Sequence, residues 1–213
     1  MVVVRNVSKN YGRVRAIDGV SLEVPSGESL VIVGRSGSGK TTLLRLIAGL
    51  EIPDEGEIYL NGRLASSKKG VLAPHLRSIG FVFQVPALWP HLTLAQNIRF
   101  GIKGLSRPLA RARVSELLSQ MNLDGLGGRY PHQVSGGEAR RAALARALAA
   151  RPALLLMDEP LLNLDPDLKE QMLSLLCELI SRKETGVVYV THDAAEAERI
   201  SKQRLVLEQG RLV

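Results

Sequence analysis

The run Gly34-Arg35-Ser36-Gly37-Ser38-Gly39-Lys40-Thr41 constrains this chain more than any other part of it. It fits G-x-x-x-x-G-K-[ST], follows the apolar stretch Ser29–Val33 and leads into the helical pattern of residues 40–50. The pattern has a mechanism only as a strand-to-helix turn. Glycines let backbone N–H groups converge on phosphate oxygens, and the helix N-terminus adds its dipole. Lys40 then reaches β- and γ-phosphates, the Thr41 hydroxyl holds Mg²⁺, and Thr42 adds a phosphate hydrogen bond. A chain built around such a turn binds a nucleotide.

A second run, Leu154-Leu155-Leu156-Met157-Asp158-Glu159, reads as a strand buried on both faces that ends in two acids. In doubly wound sheets ligands collect at the carboxyl ends of strands, so both carboxylates are expected beside the phosphate loop. Chemistry at a γ-phosphate needs a carboxylate for the magnesium shell and another to orient and deprotonate water. Asp158 is assigned to the metal and Glu159 to the base.

Strand patterns at Val2–Val7, 15–24, Ser29–Val33 and 56–60 fill the N-terminal part. An Asp18-Gly19 turn is expected inside the second, and Asn61-Gly62 after the fourth signals a hairpin. Residues 106–121 place Val114, Leu117, Leu118 and Met121 on one helical stripe, with Ser106 and Pro108 at its start. A second helix spans 137–150. Then come a strand at 153–157, a helix after Asp165-Pro166, a strand at 187–191, a helix at 194–200 and a strand at 204–207. Strand–helix alternation at both ends, interrupted by helices from Gln84 to Arg151, reads as an α/β sheet carrying a helical lobe.

Composition narrows the partners. The 213 residues fit one domain, and a single cysteine, Cys177, excludes an internal disulfide and suits a reducing cytosol. No apolar stretch approaches the roughly 20 residues needed to cross a bilayer. The net charge of +7, with arginines at 107–113 and 140–151, suits an anionic partner, but eight aromatics in all make a single-strand stacking platform a poor fit.

Together with Val134-Ser135-Gly136-Gly137-Glu138, the two phosphate-site motifs resemble the ATP-binding subunit of ABC transporters over the whole chain. The resemblance implies a P-loop NTPase core with a mostly parallel sheet, an N-terminal antiparallel β subdomain, and an inserted helical subdomain. Residues 1–84 and 152–213 would form the core and 85–151 the insert, in one domain with no regulatory domain appended. It also implies that Ser135, Gly136 and Gly137 are the signature facing a γ-phosphate held by a second copy of the chain or a similar subunit. Tyr11 looks like the adenine-stacking aromatic, Gln84 like the glutamine at Mg²⁺ and the attacking water, and His192 like the γ-phosphate histidine. Asn163-Leu164-Asp165 looks like the loop that crosses to the partner. Two ATP, each with Mg²⁺, would lie between two such chains. Leu162, where a small polar residue is usual, departs from the pattern.

The apolar loop after Gln84 allows two readings: core of the helical lobe, or a groove for a helix of a membrane-embedded permease, with Leu88 and Trp89 as contacts. The nearest likeness is to bacterial importers of the spermidine, iron, sulfate, molybdate or thiamine kind. The expected role is ATP hydrolysis at the inner face of the cell membrane, driving transport without nucleic acid. The alternative is a soluble ABC-type ATPase acting on nucleic acid or ribosomes.

Overall fold

Uninterrupted apolar strands demand cover on both faces, and the central sheet is made of them. The computed structural model describes residues 1–102 and 104–213. Its strands are β1 (Val2–Tyr11), β2 (Val14–Val24), β3 (Ser29–Val33), β4 (Glu55–Leu60), β5 (Arg63–Ser67), β6 (Gly70–Val71), β7 (Ile79–Val82), β8 (Leu154–Asp158), β9 (Gly186–Thr191), β10 (Arg204–Glu208) and β11 (Arg211–Leu212). Its helices are α1 (Lys40–Ala48), α2 (Leu94–Phe100), α3 (Arg107–Gln120), α4 (Gly136–Ala149), α5 (Pro166–Ser181) and α6 (Ala194–Ile200).

The larger sheet runs β11-β10-β3-β9-β8-β7 and is parallel except for β11. Side chains alternate across it. Leu154, Leu156, Val188 and Val190 join α1 and the second sheet on one face. Leu155, Met157, Val187 and Tyr189 join the other helices on the opposite face. The second sheet, β2-β1-β4-β5-β6, is antiparallel. Helix α1 is wedged between the sheets with Leu43, Leu44, Leu46 and Ile47 fully buried. The expected mixed α/β architecture is what the structure shows.

Two turn expectations part company. Asn61 and Gly62 both take positive φ, 49° and 76°, and join β4 to β5 as a type I′ hairpin. Asp18-Gly19 makes no turn, because β2 continues through it. Gly19, at φ 63°, instead forms a bulge whose N–H donates to Ser8 Oγ, and the ladder with β1 resumes beyond it.

Helices α2, α3 and α4 lie between β7 and β8 in the chain and pack on one another. Ala110, Val114, Leu117 and Met121 are buried there and Leu118 is half-buried, the stripe expected of α3. Ser106 stands at its N-cap without a side-chain hydrogen bond. Helix α2, which the sequence leaves inside an apolar loop, starts at a capping box of Thr93 and Gln96.

Arg77 ties α1 to the second sheet. Buried, it donates to Ile47 O (2.8 Å), Leu72 O (2.8 Å), Ala65 O (2.8 Å) and Ser66 Oγ (2.7 Å). Burial lowers its pKa to about 10, still charged at neutral pH. Arg77→Met leaves these acceptors unpaired and is expected to cost about 3 kcal/mol, read as a lower urea midpoint at unchanged slope. An unmoved midpoint refutes this role.

Candidate active site

The site forms where β3, β8 and β9 end. After β3 the chain must turn sharply into α1, and only glycine fits at two points of that turn. Gly39 sits at φ 107°, and a Cβ there would lie 2.4 Å from Ala16 O; a Cβ on Gly34 would lie 2.4 Å from Leu207 O. The turn opens onto a cleft of about 1010 Å³. Tyr11, Gly34, Arg35, Ser36, Gly37, Gly39, Lys40, Thr41, Thr42, Gln84, Glu159 and His192 all line it. Ser38 does not: its hydroxyl is buried and has no hydrogen-bond partner among the described residues.

Lys40 is almost fully buried, and its ammonium has three neighbours. Nζ donates to Gly34 O at 2.7 Å and Arg35 O at 3.0 Å, and lies 3.3 Å from Glu159 Oε1. The other oxygen of Glu159 is 3.0 Å from His192 Nδ1. Since a carboxylate only accepts, Nδ1 carries the proton in that contact. Glu159 itself is strained, at φ 43°, and its N–H donates to Val190 O on the neighbouring strand. That conformation costs of order 1–3 kcal/mol and survives only when the surroundings enforce it. It turns the carboxylate off the strand line and toward Lys40.

Asp158 stays on the strand and is buried, where its carboxylate accepts from Thr41 Oγ1 at 2.9 Å. Burial raises its pKa above the ordinary aspartate range; the Thr41 bond and the charges of Arg45 and Lys40 oppose that shift. It makes no ion pair among the described residues. Behind His192, Glu196 is buried on α6 and accepts from Tyr189 Oη and Thr191 Oγ1, both at 2.8 Å, while Lys169 Nζ lies 2.8 Å from its other oxygen. This network anchors the strand end that carries His192. The sequence reading missed it because its members come from β9, α5 and α6.

Ser135, Gly136, Gly137 and Asp165 lie outside the cleft. Ser135 caps α4, its hydroxyl accepting from Glu138 N while Glu138 Oε2 accepts from Ser135 N. Ser135 and Gly136 are exposed; Gly137 is buried against Leu168. Asp165 caps α5 through Leu168 N.

A second concavity, about 1060 Å³, runs between β7 and the helical lobe. Trp89, 46% exposed, lines it with Phe83, Phe100, Leu105 and Leu109. Leu88, expected on the same face, is turned away: half-buried against the lobe's core, it supports the loop from beneath. Consecutive loop residues point to opposite sides here, which separates the pair.

The family model described as ABC transporter matches residues 17–162. The chain belongs to the ABC transporter family. It is 48% identical over 208 residues to an Fe(3+) ions import ATP-binding protein of Pseudomonas fluorescens, covering 97% of this chain and 58% of that protein. It is 44% identical over 214 residues to a probable sulfate/thiosulfate import ATP-binding protein of Chlorella vulgaris, covering 100% of this chain and 89% of that protein. Among solved structures, the dimeric structure of a bacterial ABC transporter cassette superposes with a TM-score of 0.88 at 35% identity, covering 100% of this chain and 96% of that one. The chain spans 58% of the length of the Pseudomonas relative and 59% to 62% of the length of six further iron and sulfate/thiosulfate import ATP-binding proteins.

Proposed function

We propose that this ABC transporter family member is the ATP-hydrolysing subunit of an importer, working as a pair of chains against separate permease subunits. The observation that carries the reading is Glu159, strained so that its carboxylate stands between Lys40 and His192 at 3.3 and 3.0 Å. A carboxylate placed where the phosphate loop ends can take the proton of a water attacking the γ-phosphate.

The phosphate loop binds the triphosphate through its amides, and Lys40 exchanges its carbonyl and Glu159 partners for β- and γ-phosphate oxygens. Tyr11 stacks on the adenine at the cleft mouth. Glu159, released from Lys40, accepts the proton of the water; His192 keeps the carboxylate turned inward and contacts the γ-phosphate. Thr41, Asp158 and Gln84 would supply the hydroxyl, carboxylate and amide oxygens that suit Mg²⁺. The buried carboxylate of Asp158, which accepts from Thr41 and makes no ion pair among the described residues, fits such an ion. A bound Mg²⁺ supplies charge neutralisation on the β- and γ-phosphate oxygens.

The exposed N-terminus of α4, with Ser135 at its cap, is a ready phosphate site, yet it lies outside its own cleft. A second chain turned head to tail brings it onto the γ-phosphate there and makes two ATP sites, with Asp165 in the loop that crosses between chains. Residues 85–151 then form the lobe that carries the signature, and the rest forms the core. Among the described residues no helix is long and apolar enough to cross a membrane. Attachment to the inner membrane face goes through a permease helix seated in the groove lined by the exposed Trp89.

Mg²⁺-dependent phosphate release from ATP, indifferent to added DNA or RNA and raised by the copurifying permease, tests this reading; a chain that binds no ATP overturns it. At the groove, Trp89→Ala is expected to weaken permease capture by about 2 kcal/mol, roughly 30-fold, in a pull-down titration, with ATP affinity as the folding control. An unchanged capture curve removes Trp89 from the contact.

A further inference from the structure

Arg140 lies on α4, one turn beyond the Ser135 cap, and its guanidinium grips two loops that are distant in sequence. Nη1 donates to Pro160 O at 2.8 Å and to Gln84 O at 3.2 Å; Nη2 donates to Leu162 O at 2.9 Å. All three acceptors are backbone carbonyls, so the grip fixes main-chain position. Pro160 follows the strained Glu159 directly, and the Leu162 N–H closes a turn on Glu159 O at 3.2 Å. Glu159 is thus held on one side by Val190 O and on the other through a loop clamped to α4. Strain of that kind persists only where neighbours over-determine it, and Arg140 is the side chain placed to do so. The planar fork reaches three carbonyls at once, which an ammonium does not.

The same helix holds the far end of the Gln84 loop. Arg146 donates to Ala87 O at 2.7 Å and Pro86 O at 3.2 Å. The loop from the nucleotide cleft to the Trp89 groove therefore hangs on α4 at both ends, Arg140 at the cleft and Arg146 at the groove.

We propose that Arg140 is a positioning residue for hydrolysis, locking the loops that carry Glu159 and Gln84 to the helix that begins at Ser135. This rests on the ATPase reading above. A phosphate seated on Ser135 by the partner chain then bears, through a rigid helix and one guanidinium, on the first chain's own base. The role is separate from binding, since Arg140 does not line the cleft.

The test compares ATP turnover by the full chain as wild type, Arg140→Met and Arg140→Lys. Misplacing a base costs rate, and the expected fall in kcat for Arg140→Met is roughly 10- to 100-fold. KM is expected to stay within about threefold, since the phosphate loop is untouched. Arg140→Lys, which still reaches a carbonyl, is expected to recover part of the loss. A fall in kcat below about fivefold, a KM that rises as far as kcat falls, or no recovery with lysine overturns the proposal. Should Arg140→Met fail to fold, Arg140→Gln is read against the same kcat and KM limits. A wild-type chain without ATP turnover counts against the ATPase reading; normal turnover in both wild type and Arg140→Met counts against Arg140 alone.

Discussion

Glu159→Gln is expected to leave ATP bound and stop its hydrolysis, with a fall of roughly 10²–10⁴-fold in phosphate release. That is about 3–5 kcal/mol on the barrier. The exchange is isosteric, so the positive-φ turn and the Val190 contact are kept. What goes is the negative charge 3.3 Å from Lys40 and 3.0 Å from His192. Without it the side chain that stands between Lys40 and His192 can no longer take the proton of water. Binding does not suffer, because Lys40 no longer has to give up an ion pair to meet phosphate, and one less anion faces the triphosphate. In the proposed pair ATP is a shared ligand of the closed state, so a variant that binds and never hydrolyses is expected to accumulate as an ATP-dependent dimer. Phosphate release, nucleotide affinity and light scattering with and without ATP check the three parts. Wild-type turnover by a clean Glu159→Gln preparation would remove Glu159 from the role of base.

Much of this site is legible in the sequence because its parts are local. The phosphate loop is one contiguous turn, and Asp158 and Glu159 close one buried strand whose uniform apolar run betrays its place in a parallel sheet. The sequence assigns the two adjacent acids to metal and base, but the backbone difference that sets them apart is not written in it. Asp158 keeps strand geometry and stays buried against Thr41, whereas Glu159 adopts φ 43° and swings to Lys40. No residue pattern encodes that, since glutamate has no preference for the left-handed region. The opposite facing of Leu88 and Trp89 is hidden for a similar reason: an irregular loop has no period from which to read a face. Arg140 is invisible because its acceptors are carbonyls, which every residue owns. The bulge at Gly19 looks like a turn because both want a positive φ, and only the strand beside it decides between them.

The place of Ser135 leads to the second large effect, one that appears only on mixing. Lys40→Met removes the ammonium beneath the phosphates, and Ser135→Arg fills the α4 cap with a bulky side chain; each variant alone is expected to lose nearly all turnover. In one chain Lys40 lines the cleft and Ser135 lies outside it. In the proposed head-to-tail pair the surface around Ser135 of each chain meets the cleft of the other, so each site takes Lys40 from one chain and Ser135 from its partner. A mixed pair then gathers both lesions into one site and leaves the other with a wild-type Lys40 and a wild-type Ser135. With random pairing, half the dimers are mixed and each holds one sound site of two, so the mixture should recover about a quarter of wild-type turnover, less if the two sites must fire together. Recovery should rise with protein concentration and saturate as pairs form, which activity against total protein at a fixed one-to-one ratio reads directly. If both elements served a single chain, each variant would be dead in every pairing and the mixture would stay as inactive as its parts. That flat result would break the head-to-tail arrangement while leaving the phosphate loop and Glu159 where they are.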